Sequence, residues 1–100
     1  MRNVIRTEQF ASWARSLRDD EAKARIAARI DRLGLGNPGD VKPVGGGVSE
    51  MRIDYGPGYR LYYARHEDTI ILLLCGGTKK TQQADIKQAK SIFAQWKKPI

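Results

Sequence analysis

The stretch Met51-Arg52-Ile53-Asp54-Tyr55-Gly56-Pro57-Gly58-Tyr59-Arg60-Leu61-Tyr62-Tyr63 decides the fold. Met51, Ile53 and Tyr55 alternate with Glu50, Arg52 and Asp54, the two-residue period of a strand buried on one face. Tyr55-Gly56-Pro57-Gly58 is a turn signal, because glycine tolerates positive φ and proline presets φ for a turn. Beyond it, Tyr59, Leu61 and Tyr63 take one face of a second strand, and Arg60, Tyr62, Ala64 and His66 take the other. If helices cover the Met51, Ile53 and Leu61 face, Arg52 and Arg60 emerge together on the opposite one, beside Glu50 and Tyr62. Two guanidiniums on one sheet surface are costly to strip of water and well suited to a polyanion.

Working outward toward the N-terminus, Gly45-Gly46-Gly47 reads as a flexible connection. Val41–Val44 reads as an edge strand, since Pro43 has no amide to donate. Gly34-Leu35-Gly36-Asn37-Pro38-Gly39 stops a helix whose apolar stripe is Ala22, Ile26, Ile30 and Leu33. Lys23, Arg25, Arg29 and Arg32 decorate its other faces, and Asp19 with Asp20 offers the N-cap. Phe10, Trp13, Ala14 and Leu17 mark a shorter helix before it, and Asn3–Arg6 a short strand. Toward the C-terminus, Glu67-Asp68 is a second turn. Ile70–Cys75 is apolar on both faces, as in a central, covered strand. Ile86, Ala89, Phe93 and Trp96 form the stripe of a last helix. The order is strand, two helices, three or four antiparallel strands and helix. It predicts an α+β fold, a twisted antiparallel β-sheet with an N-terminal helical hairpin and a C-terminal helix. With no internal repeat and no dividing linker, residues 1–100 are expected to form a single domain.

Composition narrows the partners. Eighteen Lys and Arg against eleven Asp and Glu leave a net charge of +7. From Thr69 onward there are six lysines and one acid, whereas the first 68 residues hold twelve basic and ten acidic groups. A lysine-rich C-terminal third attracts polyanions or an acidic protein partner. The six-residue run Ile70–Cys75 falls far short of the roughly 20 apolar residues that span a bilayer. No secretion-signal pattern opens the chain, so a cytoplasmic location away from membranes is expected. Cys75 is the one cysteine and His66 the one histidine. An intrachain disulfide and a cysteine zinc cluster are therefore excluded, and no metal or cofactor is expected.

Arg52 and Arg60 are the leading candidates for chemistry, since the planar guanidinium holds phosphate bidentately at any working pH. The alternative is that each forms an ordinary ion pair with a neighbouring acid such as Glu50 or Asp54. Gly76-Gly77-Thr78-Lys79-Lys80-Thr81 leads from the central strand into the last helix, where backbone amides and lysines favour anions. It lacks the GxxxxGK spacing of a Walker loop, and a solvated turn with Thr81 as helix cap also explains it. Tyr62 is a candidate for stacking on a nucleobase. Trp13, Trp96 and Cys75 read as core.

These residues, in this order, resemble a known pattern. The series Gly36-Asn37…Gly39-Asp40, Gly47-Val48-Ser49-Glu50-Met51-Arg52-Ile53, Gly56-Pro57-Gly58-Tyr59-Arg60-Leu61-Tyr62-Tyr63, Leu74-Cys75-Gly76-Gly77-Thr78-Lys79-Lys80-Thr81-Gln82 and Asp85-Ile86 resembles the RelE/ParE toxin superfamily. More narrowly it is similar to the HigB-like addiction module killer proteins, from about Phe10 to Ala89. The resemblance implies a RelE-like fold and the toxin of a type II toxin–antitoxin system. Many members are mRNA interferases, metal-independent endoribonucleases that cut messenger RNA on the ribosome, and the ParE branch instead inhibits DNA gyrase. It also implies a cognate antitoxin, commonly a helix-turn-helix DNA-binding protein. By resemblance, Arg60 matches a phosphate-contacting catalytic arginine, and Arg52 lies on a strand whose basic residues contact RNA. Lys79 and Lys80 lie where basic residues precede the last helix. The nuclease members often carry a C-terminal tyrosine or histidine as acid or base. None follows His66 here, so Glu50, Tyr62, Asp85 or a desolvated lysine would take that role.

Overall fold

The computed structural model describes residues 3–98. The chain runs β1 (Asn3–Arg6), α1 (Glu8–Ser16), α2 (Asp20–Gly34), β2 (Val41–Gly45), β3 (Val48–Ile53), β4 (Tyr59–His66) and β5 (Ile70–Thr78). A 3₁₀ turn, Lys79–Thr81, then leads into α3 (Gln82–Lys97). This is the α+β order the sequence predicts. The five strands form one sheet in the order β1-β5-β4-β3-β2. Neighbours from β2 to β5 are antiparallel, and β1 joins β5 in parallel. Four residues do not specify a strand's direction, so the parallel edge emerges only in the assembled sheet.

Local signals start the helices. The Thr7 hydroxyl accepts from the Phe10 amide at 3.2 Å and so caps α1. It also reaches the Leu73 and Leu74 carbonyls of β5 at 2.8 and 2.9 Å, pinning the start of the helix to the central strand. Asp19 caps α2, accepting from the Ala22 and Glu21 amides at 3.2 and 2.9 Å. The Ala22 amide, and after it the Tyr55 hydroxyl, hold the Asp19 carboxyl below its ordinary 3.8.

Each face of the sheet has its own core. On one, Phe10 of α1 and Ile26, Ile30 and Leu33 of α2 pack on Met51, Ile53, Leu61, Tyr63, Ile71 and Leu73. On the other, Ala89 and Phe93 of α3 pack on Val48, Tyr62, Ala64, Leu72, Leu74 and Cys75. The expectation of a second face left open by the helices is corrected here: α3 covers much of it. The stripe that places Phe93 in this core also turns Trp96 outward. Trp96 is 40% exposed and meets His66 edge-on at 4.7 Å, so it is not the core residue its spacing suggests.

A β-bulge makes both cores possible. Tyr62 pairs with Cys75 and Tyr63 with Leu73, leaving Leu74 as an extra residue on β5. Leu74 and Cys75 therefore both point into the α3 core, and the alternation inverts beyond them. Gly76 then meets the Trp13 ring on the α1 side, while Gly77 meets Thr81 and the Asp85 carboxylate on the α3 side. Neither site has room for a β-carbon.

Gly76→Ala should destabilise the fold by about 1–3 kcal/mol through overpacking on Trp13, read as a lower urea midpoint at unchanged slope. The depressed Asp19 pKa fixes the sign of a second effect. The stability it contributes is present above pH 3.8 and is lost as pH falls from there through the folded value. The advantage of the wild-type chain over Asp19→Asn, which keeps a cap but no charge, should shrink across that window in urea titrations.

Candidate functional site

Arg52 of β3 and Arg60 of β4 are directly opposed in the antiparallel register. Like charges so placed destabilise a sheet pair, so their juxtaposition needs compensation. Carboxylates supply it from two directions. Arg52 Nη2 lies 3.2 Å from Asp40 Oδ1, an exposed pair. Arg60 Nε lies 4.0 Å from Glu50 Oε1, and there the side chains are 12% and 0% exposed. Each arginine thus has an acidic partner, but Arg52 takes Asp40 rather than Glu50 or Asp54.

Beside the pair opens a groove of about 510 Å³, lined by Asp40, Arg52, Ile53, Asp54, the Gly56-Pro57-Gly58 turn, Arg60 and Lys79. The turn and the start of the 3₁₀ turn are joined by the Lys79 amide, which donates to the Gly58 carbonyl at 2.8 Å. Gly58, at φ 78°, brings its backbone against the Lys79 β-carbon, an approach that suits glycine alone. Lys79 therefore flanks the groove by construction. Lys80 is exposed and is not among the lining residues.

Two expected members of this surface are sealed beneath α3. Glu50 and Tyr62 pair across β3 and β4, and both are 0% exposed. The Tyr62 hydroxyl donates to Glu50 Oε2 at 3.0 Å, and Gln82 Nε2 at the start of α3 donates to the same oxygen at 2.7 Å. This corrects the expectation that both residues stand open beside the arginines. A ring with no exposed surface is closed to a nucleobase, and a carboxylate under Gln82 is out of reach of substrate. Burial first, and Glu50 second, push the Tyr62 hydroxyl far above its usual range, so it remains a donor. Glu50 Oε1, Arg52 Nε and Arg60 Nε are buried without a hydrogen-bond partner among the described residues.

The Gly76–Thr81 segment is not an amide cradle either. The Thr78 amide donates to Thr81 Oγ1 at 3.2 Å and the Lys79 amide to Gly58. The Thr81 hydroxyl donates to Asp85, and Asp85 is not among the residues lining the groove. Burial raises the Cys75 thiol to about 12, as its core position implies. His66 sits at the far end of β4, six residues or roughly 20 Å from Arg60. Arg29, taken from its spacing as helix surface, bears on the site instead. Its guanidinium donates to the carbonyls of Arg52 at 2.7 Å and Pro38 at 3.2 Å, tying α2 and the following loop to β3. Helical spacing carries no signal for that contact, which depends on where β3 comes to lie.

The groove holds three cations, Arg52, Arg60 and Lys79, and two exposed carboxylates, Asp40 and Asp54. Chemically, the arrangement can take an oxyanion on the arginine forks if one displaces Asp40 from Arg52. No group of three His, Cys, Asp and Glu side chains among the described residues could hold a metal ion. No helix among them is long and apolar enough to cross a membrane.

An α+β sheet with a cationic groove at one end of its central hairpin is thus the class that fold and site define. Residues 12–97 match the family described as phage derived protein Gp49-like (DUF891), and the chain belongs to it. That family is RelE-like in the broad sense. An uncharacterized protein of Haemophilus influenzae (strain ATCC 51907 / DSM 11121 / KW20 / Rd) is 52% identical over 84 residues. The match covers 84% of this chain and 85% of the relative.

The charge inventory yields a prediction on immobilised heparin. Arg52→Ala should elute at lower salt than the wild-type chain. Asp40→Asn, which frees Arg52, should elute at higher salt.

Proposed function

We propose that this protein is the toxin of a type II toxin–antitoxin pair and arrests translation as a ribosome-dependent, metal-independent mRNA endonuclease. The observation that carries the reading is the opposed Arg52 and Arg60 pair, facing an open groove that Lys79 flanks. Membership of the Gp49-like family supports a toxin-like role in the broad sense. In the reaction, the RNA 2′-oxygen attacks the adjacent phosphorus, the 2′-O–P bond forms and the P–O5′ bond breaks. Negative charge grows on the non-bridging oxygens meanwhile. Arginine forks already in place stabilise it without reorganisation, commonly the largest single contribution to catalysis. A base must take the 2′-hydroxyl proton and an acid must protonate the leaving 5′-oxygen. With Glu50 and Tyr62 sealed and Asp85 outside the groove lining, the carboxylates and amine that line it are those of Asp40, Asp54 and Lys79.

The sealing of both Glu50 and Tyr62 favours one second reading. A groove without a committed acid–base pair suits a ParE-like inhibitor that binds DNA gyrase and cuts nothing. On either reading the partner that neutralises the toxin is a cognate antitoxin, a helix-turn-helix protein with an acidic segment lying over the Arg52 and Arg60 groove.

Tightly controlled expression followed by mapping of RNA 5′ ends should reveal new cuts within translated messages. Arrested growth with intact messages and inhibited supercoiling would instead establish the gyrase reading. Arg60→Lys, which keeps a charge near Glu50 but loses the fork, should fold and lose at least about tenfold in cleavage rate. The antitoxin complex should weaken steeply as salt is raised; affinity indifferent to salt would remove the electrostatic account.

A further inference from the structure

The sealed carboxylate of Glu50 is the most unusual group in the molecule. It is 0% exposed, and both neutral donors, the Tyr62 hydroxyl and the Gln82 amide, converge on Oε2. Oε1 is left buried without a hydrogen bond, and the cation beside it is Arg60, whose Nε is likewise buried and unpartnered. Strand register explains the approach: Glu50 stands opposite Tyr62, one diagonal step from Arg60. Arg60 Nη1 points instead toward the groove rim, 3.5 Å from the Gly58 carbonyl.

From this geometry we infer that Glu50 is a positioning residue, holding Arg60 by its Nε edge so that the Nη fork faces the groove. Tyr62 and Gln82 fix the carboxylate, the carboxylate fixes the arginine, and the arginine meets the ligand. At 4.0 Å in the free protein the contact between Nε and Oε1 is an ion pair sealed from water, and the carboxylate's charge holds that edge of the guanidinium. The consequence for binding rests on the reading of the groove as an RNA phosphate site. The Glu50–Arg60 linkage itself does not.

Two measurements on the full chain test the inference separately. The first is the Arg60 Nε–H nuclear magnetic resonance signal of the free protein, assigned through its own side-chain carbons. It should exchange with water at least about tenfold more slowly than that of exposed Arg15, and Glu50→Gln should abolish the protection. A rapidly exchanging wild-type signal would overturn the linkage without any variant. Should Glu50→Gln fail to fold, Tyr62→Phe serves: it keeps the ring and the carboxylate but removes one of the two donors that fix it, and should lower the protection by at least about threefold. Full protection in Tyr62→Phe would separate Arg60 from the fixed carboxylate and also overturn the inference.

The second measurement is affinity for a short single-stranded RNA of mixed sequence. On Coulomb grounds alone, neutralising Glu50 beneath a cationic groove tightens anion binding. Positioning predicts the opposite sign, about tenfold weaker binding in Glu50→Gln and no weakening when Arg60→Ala is already present. Unchanged or tighter binding in the single variant refutes the positioning role. A wild-type chain that ignores RNA refutes the RNA reading of the groove, and the Arg60 exchange rate then still decides the linkage.

Discussion

The register of β3 against β4 is the constraint on which the rest depends. With Glu50 opposite Tyr62 and Arg52 opposite Arg60, two adjacent cross-strand pairs place a sealed acid and two cations in sequence along one face. The same register puts Met51, Ile53, Leu61 and Tyr63 into the core beneath α1 and α2. A slip of one residue would send the arginines into that core and the methionine and leucine toward α3. Hydrophobic burial therefore enforces a pairing that electrostatics alone opposes.

The two covering layers then divide the face. Toward the middle of the sheet, α3 brings Ala89 and Phe93 onto Val48, Tyr62 and Ala64, and its first residue, Gln82, closes over Glu50. At the turn end, the Gly56-Pro57-Gly58 segment and Lys79 frame the groove beside Arg52 and Arg60. The boundary between sealed and open surface falls between neighbouring residue pairs. A carboxylate thus sits in a low-dielectric setting immediately behind an arginine that still reaches solvent, and there a charge pair is stronger than it would be in water.

Arg52 and Arg60 are held in different ways. Arg52 is tethered by exposed Asp40, a pairing that solvent weakens and an incoming anion can replace. Arg60 is backed by buried Glu50, which no solvent ion displaces. The partner of Arg52 is thus exposed and replaceable, whereas the partner of Arg60 is sealed.

The pattern of residues was enough for the element order, the cap at Asp19, the edge strand with Pro43, and the sharing of a face by Arg52 and Arg60. Each of these follows from local periodicity or from one residue's backbone preference, and both survive any tertiary arrangement. The parallel pairing of β1, the Leu74 bulge and the covering of the second face by α3 were not legible. An unbroken apolar run such as Ile70–Cys75 offers no parity to interrupt, and an amphipathic helix does not name the sheet face it will cover. For that reason the sequence by itself determined which side chains would be neighbours along the hairpin. Only the tertiary structure decided that Glu50 and Tyr62 are sealed while Arg52 and Arg60 reach a groove, because exposure depends on where Gln82, 32 residues on from Glu50, and the rest of α3 come to lie.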